Sequence, residues 1–81
     1  MGWDRVMPEA PVVAVAGATG AVGREMLTVL EQRRFPASRV VALASARSAG
    51  KTVPFDGGEL VVEEMTEASF HGVDVALFSA G

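Results

Sequence analysis

The sequence predicts an α/β fold, the N-terminal part of a doubly wound parallel sheet. Three observations carry that prediction. Val12-Val13-Ala14-Val15-Ala16 is apolar at every position, the pattern of a strand covered on both faces. A glycine-rich turn comes next and leads into a stretch whose apolar residues Val22, Met26, Val29 and Leu30 recur at i, i+4, i+7 and i+8, which makes one helical stripe. A second uninterrupted apolar run then spans Val40 to Ala44. Strand, helix and strand joined by short connections favour a right-handed parallel crossover.

Residues 1–11 show no periodicity and contain Pro8 and Pro11, so they read as a loose leader ahead of a partial domain at 12–81. In the predicted helix Arg24, Glu25, Glu31 and Gln32 fall on the side away from the apolar stripe. Arg33 and Arg34 suit the negative C-terminal end of that helix, and Pro36 stops it. Small, polar and basic residues from Ser45 to Lys51 form a loop after the second strand. Val53–Phe55 and Glu59–Val62 flank Asp56-Gly57-Gly58, a turn signal that predicts a short hairpin. Thr66 to Phe70 suits one or two helical turns with Thr66 as N-cap, and Val73 to Phe78 reads as a third strand of the main sheet. No internal repeat or low-complexity tract interrupts this order. A parallel sheet ending at Gly81 leaves an edge and part of its faces uncovered, so the expectation is the first portion of a larger fold.

Composition narrows the classes of function. At 81 residues a single core is only marginally stable without help. There is no cysteine and one histidine, His71, so disulfides and thiolate metal sites are excluded and a histidine metal cluster has no ligands. Absent cysteine is compatible with a reducing compartment, and a cytoplasmic location is the expectation. The net charge of −3 argues against a dedicated nucleic-acid binder, and no apolar run reaches the ~18–20 residues of a membrane helix. The start of the chain imitates a secretory signal poorly, because Asp4 and Glu9 dilute the positive region. Met1-Gly2 lacks the Ser or Thr at position 6 that myristoylation needs, where Val6 stands instead.

The chemistry lies in Gly17-Ala18-Thr19-Gly20-Ala21-Val22-Gly23. Its G-x-x-G-x-x-G spacing departs from the commoner G-x-G-x-x-G, but the physical requirement is the same. The backbone bends tightly, approaches a ligand, and lets helix and strand pack closely. Such a turn delivers its N–H groups to the positive end of a helix and cradles a nucleotide pyrophosphate. A strand–helix packing turn without ligand also needs Gly20, but it gives no reason for the basic loop after the second strand. At that position an Asp or Glu marks NAD by bonding the ribose 2′-hydroxyl, whereas an Arg accommodates the 2′-phosphate of NADP. Here the strand ends at Leu43-Ala44-Ser45 without a carboxylate, and Arg47 comes directly after. Its guanidinium suits bidentate bonds to phosphate, with Ser45 and Ser48 as hydroxyl donors. The expected cofactor is therefore NADP.

Other motifs dissolve on inspection. Gly50-Lys51-Thr52 resembles the tail of a P-loop, but the first glycine of that motif falls on Ser45. Ser48-Ala49-Gly50-Lys51 matches S-x-x-K without its partner motifs. Ser79 lacks a G-x-S-x-G context and reads as a small residue that lets cofactor approach the C-terminal sheet edge. His71 reads as a surface histidine, Glu63, Glu64 and Glu67 as a solvated acidic face, and Phe35, Phe55, Phe70 and Phe78 as packing residues. An epimerase-like fold shares the glycine spacing but calls for a Tyr and Lys pair, and the chain has no tyrosine.

With Gly17 to Gly23, Phe35-Pro36, Ala44 to Lys51 and Leu77-Phe78-Ser79-Ala80-Gly81 in this order, the chain resembles the N-terminal region of the aspartate-semialdehyde dehydrogenases from about Val12 to Gly81. The glycine turn alone also suits their relatives the N-acetyl-glutamyl-phosphate reductases, and a non-catalytic NADP-binding module is the alternative from another class. The resemblance implies a Rossmann-like domain in a homo-oligomeric enzyme. It also implies NADPH-dependent reduction of aspartyl-4-phosphate to its semialdehyde, on the route to lysine, threonine and methionine. Further, it implies that Thr19, Gly20, Ala21 and Val22, with Gly17 at the bend, hold the pyrophosphate. Arg47 and Ser48 would hold the 2′-phosphate, and Ser79, Ala80 and Gly81 would line the cofactor through their backbone. The family's catalytic cysteine and histidine lie later in its sequence. With no cysteine here, no catalytic residue is assigned and the chain is expected to be inactive alone.

Overall fold

A computed structural model describes residues 10–78. Five strands form one sheet: β1 (Val12–Ala16), β2 (Arg39–Ala44), β3 (Thr52–Phe55), β4 (Gly58–Glu64) and β5 (Val75–Phe78). One helix, α1 (Ala21–Gln32), joins β1 to β2, and a short 3₁₀ turn at Glu67–Phe70 precedes β5. The strand order is β3-β4-β2-β1-β5. Strands β1, β2, β4 and β5 are parallel, and β3 alone runs antiparallel, against β4. This is the Rossmann-like α/β architecture that the sequence predicts.

The predicted third strand of the main sheet is displaced by one place. Instead of ending with the hairpin, β4 continues to Glu64 and pairs with β2 in the register Ala42↔Val62, Leu43↔Glu63 and Ala44↔Glu64. It is therefore the third parallel strand, and β5 is the fourth. The continuation was hidden because Glu59, Glu63 and Glu64 are charged and exposed, while only Val62 turns fully inward. β5 also begins two residues later than its apolar run. The Val73 N–H donates to the Phe70 carbonyl at 3.1 Å, and Asp74 clasps the start of β1. In that clasp the Val12 N–H donates to Asp74 Oδ2 and the Asp74 N–H donates to the Val12 carbonyl, both at 2.9 Å. Next to it Pro11, at the end of the expected leader, is buried, and its carbonyl accepts the Ser38 N–H at 2.9 Å. The rest of that leader, residues 1–9, lies outside the described residues.

Both faces of the central strands are covered, which accounts for their uniform apolarity. On one face Leu27 of α1 is buried against Val15, Ala18, Ala42 and Val62. On the other, Ala14, Val41 and Leu43 pack with Phe70 and Val73. The Phe70 ring stacks on Phe78 with centroids 5.9 Å apart. The 3₁₀ turn that carries Phe70 starts where expected, at Thr66, whose N–H donates to Ser69 Oγ at 2.9 Å.

The helix ends differently from the sequence reading. Arg33 is its C-cap, and Arg34 lies beyond it with φ of +50°. The Phe35 N–H reaches back to the Leu30 carbonyl at 3.0 Å, and the Arg34 N–H to the Glu31 carbonyl at 3.1 Å. This pair of bonds is the Schellman closure, whose left-handed residue is ordinarily glycine. The left-handed turn stops the helix two residues before Pro36 comes into play. Glu31, expected on the solvent side, accepts the Asp56 N–H on Oε1 at 2.7 Å and so ties α1 to the hairpin. Asp56 and Gly57, with φ of +50° and +79°, form the turn that an Asp-Gly pair favours.

Arg34→Gly is expected to raise stability by about 1 kcal/mol, because an L side chain in the left-handed region costs about that much. Urea unfolding followed by circular dichroism measures it; a destabilised variant would refute the strain argument.

Candidate dinucleotide site

The site begins where β1 stops. Gly17 takes φ of +82°, which turns the chain off the sheet at a cost that only glycine avoids. The N–H groups of Gly17 and Ala18 both donate to the Leu43 carbonyl, at 2.8 and 3.1 Å, latching the turn to β2. The Gly20 N–H closes the turn on the Gly17 carbonyl at 3.1 Å. Gly20 is the N-cap of α1 with extended φ and ψ of −79° and 168°.

The two later glycines differ in what they permit. A Cβ on Gly23 would stand 2.7 Å from the Gly17 carbonyl carbon and 2.8 Å from Ala18 Cα, and nearer still to the Gly17 oxygen. All three are backbone atoms, so α1 approaches β1 too closely for any side chain. A Cβ on Gly20 would meet only the Gly17 oxygen, at an ordinary 3.6 Å. The fold itself therefore leaves room for a methyl at Gly20, and the bare backbone there faces outward as an open cradle.

The donors at the start of α1 are uncommitted. No side chain caps α1, and its first turn holds no acidic residue. Among the described residues the N–H groups of Ala21, Val22 and Gly23 have no acceptor. Unsatisfied donors and the positive end of the helix dipole coincide at this point, which favours a phosphate.

The second half of the site is the loop from Ser45 to Lys51, at the C-terminal end of β2. It is wound tightly by bonds from the Ser48 N–H to the Ser45 carbonyl at 2.9 Å and from the Lys51 N–H to the Ser48 carbonyl at 3.1 Å. The Gly50 N–H anchors it to Val62 of β4 at 2.8 Å. Arg47 is exposed at its crest and Ser48 is half-buried. Thr19 Oγ1 lies 3.5 Å from Ser48 Oγ, so the glycine turn and the basic loop touch across 29 residues of sequence.

The structure thus brings Gly17, Thr19, Gly20, Ala21, Val22 and Ser48 to one edge of the sheet, with Arg47 on the adjoining loop. Ser79 and Ala80 lie outside the described residues. β5 ends level with β1, Phe78 opposite Ala16. The sequence reading missed the Leu43 carbonyl, which holds the turn in place; a backbone acceptor has no side-chain signature by which to find it.

Residues 12–81 match the family described as "Semialdehyde dehydrogenase, NAD binding domain". The chain belongs to the semialdehyde dehydrogenase family. Within it the resemblance is to aspartate-semialdehyde dehydrogenases: that of Legionella pneumophila is 58% identical over 69 residues and that of Bacillus subtilis 56% over 69, each across 85% of this chain. The crystal structure of aspartate semialdehyde dehydrogenase II from Vibrio cholerae, complexed with ASA, superposes with a TM-score of 0.81 at 49% identity. That match covers 89% of this chain and 24% of the other. A probable aspartate-semialdehyde dehydrogenase from Pseudomonas aeruginosa gives 0.82 at 40% identity, over 89% and 22%. The chain spans about a fifth of the length of the Legionella and Bacillus relatives, 20% in each. As a semialdehyde dehydrogenase domain of the NAD-binding type, it takes a nicotinamide dinucleotide as its class of cofactor. Among its described residues no helix is long and apolar enough to cross a membrane.

The two glycines give a paired expectation. Gly23→Ala is expected to cost about 3 kcal/mol or more, because nothing but backbone is there to yield. Gly20→Ala is expected to cost no more than about 1 kcal/mol, the scale of an N-cap change. Thermal unfolding of the two variants side by side tests this, and equal losses would contradict the packing described.

Proposed function

We propose that the chain is the cofactor-binding portion of an NADPH-dependent aspartate-semialdehyde dehydrogenase, a homo-oligomeric cytoplasmic enzyme. The reaction is the reduction of aspartyl-4-phosphate to the semialdehyde that leads to lysine, threonine and methionine. The observation that carries the reading is the Thr19–Ser48 contact. It makes one site of a turn suited to pyrophosphate and a loop suited to a 2′-phosphate.

The cofactor, when bound, supplies a hydride. The residues of this chain bind and orient it. Gly20 presents no side chain, so the open N–H groups of Ala21 and Val22 at the positive end of α1 would hold the pyrophosphate. Thr19 steadies Ser48, and the guanidinium of Arg47 offers a planar fork to the 2′-phosphate. The strand end lacks the carboxylate that would prefer a free ribose 2′-hydroxyl. Ser79 and Ala80 would line the cofactor beyond β5. No cysteine occurs in the 81 residues, so none of them supplies the thiolate for acyl transfer, and the chain's share of the reaction is binding and positioning. The Vibrio cholerae relative, solved with ASA, supports this reading of the whole enzyme's reaction.

Arg47→Ala is expected to weaken NADPH binding by ~1.5–3 kcal/mol, the scale of a hydrogen bond to a charged group, and to leave NADH binding nearly unchanged. Fluorescence titration with both cofactors decides the point. Equal losses would remove Arg47 from the 2′-phosphate site. Gly20→Val is expected to abolish binding of both cofactors while the far-UV spectrum stays native; unchanged affinity would make the turn purely structural.

A further inference from the structure

A cavity lies at the opposite end of the sheet from the glycine turn. It has a volume of about 430 Å³ and opens between the end of α1, the start of β2 and the hairpin turn. That size is within the range of ~300–1,000 Å³ typical of small-molecule sites. Its apolar wall is made by Leu30, Phe35, Val40 and Phe55, and its charged rim by Glu31, Arg34 and Asp56.

Three features of the rim point the same way. Opposite charges share the cavity, yet among the described residues no ion pair joins Arg34 to Glu31 or Asp56. The Glu31 carboxylate is held in place, because its Oε1 accepts the Asp56 N–H at 2.7 Å. Arg34 stands with φ of +50° at the one position of the helix closure where glycine is favoured. Backbone strain of this kind collects where a side chain serves a ligand. The guanidinium is thus carried at a conformational cost that the fold does not require.

We propose that this cavity binds a small zwitterion, an α-amino acid with an apolar side chain. Arg34 receives the carboxylate through its planar fork. Asp56, with the free oxygen of Glu31, receives the ammonium group, and the side chain enters between Phe35 and Phe55. The site is separate from the dinucleotide cradle: its residues sit at the end of α1, the start of β2 and the hairpin turn, whereas the cradle is at the C-terminal ends of β1 and β2. Occupancy would join α1 to the hairpin more firmly.

The test is a ¹H–¹⁵N correlation titration of the chain with L-phenylalanine and L-leucine. A ligand of this size is expected to bind in the millimolar range. Saturable shifts are expected at Glu31, Arg34, Phe35 and Asp56, with Gly17 to Gly23 undisturbed. L-Phenylalaninamide and 3-phenylpropionate, each lacking one charge, are expected to bind at least about tenfold more weakly. Arg34→Gly, which relieves the strained backbone, is expected to lower affinity at least about tenfold without lowering the melting temperature, and Arg34→Lys to retain part of it. No saturable shifts, equal binding of the singly charged analogues, undiminished affinity in Arg34→Gly, or shifts confined to Gly17–Gly23 would each overturn the proposal.

Discussion

The approach of α1 to β1 at Gly23 is the constraint on which the rest of the structure depends. With no side chain between them, the first turn of the helix rests on the backbone of Gly17 and Ala18. That contact fixes the helix axis over the sheet, and the axis decides where Leu27 enters the core between Val15, Ala42 and Val62. The Leu43 carbonyl holds the same turn from the side of β2. Helix, first strand and second strand are therefore located relative to one another by backbone atoms, which have no rotamers to relax. The open N–H groups of the helix start inherit that rigidity, and a phosphate site benefits from donors that do not move.

The two ends of the sheet are built on different terms. At the N-terminal ends of the parallel strands, polar groups are spent on closure: Asp74 with Val12, Ser38 with Pro11, Glu31 with Asp56. At the C-terminal ends, the N–H groups that open α1 are left without acceptors, and Arg47 is exposed on the adjoining loop. This division arises from parallel topology, in which every β-to-α turn falls on the same edge and ligands collect there.

Much of this was legible in the sequence because period and glycine placement report directly on backbone geometry. β1, α1, β2 and the Asp-Gly hairpin all come from such signals, and so does the tight bend of the glycine turn. The failures share a cause. The end of β4 is written in glutamates, since only Val62 needs to face inward, and alternation that short is masked by charge. Arg34 occupies a glycine-like conformation without being glycine, so nothing in its identity announced the end of the helix. The Glu31–Asp56 bond spans 25 residues and depends on where the hairpin swings, which no local pattern records. In the candidate site, the glycine turn was readable from spacing, and the basic loop that carries Arg47 from its place after β2. The latch on Leu43 was not, because a carbonyl belongs to every residue.

The pairing of β1 with β5 bears on how such a chain comes into being. β1 has two sheet neighbours, and they arrive at very different times: β2 comes after one helix, whereas β5 closes the other side only when residues 75–78 exist. Until then the ribosome has released an apolar strand with one complete row of unpaired backbone groups. Such an edge is a template for wrong partners. The Asp74 clasp on Val12, spanning 62 residues, is made by the residue just before β5. Placed there, it sets the register in which the late strand meets β1, with Asp74 across from Val12 and Val75 across from Val13.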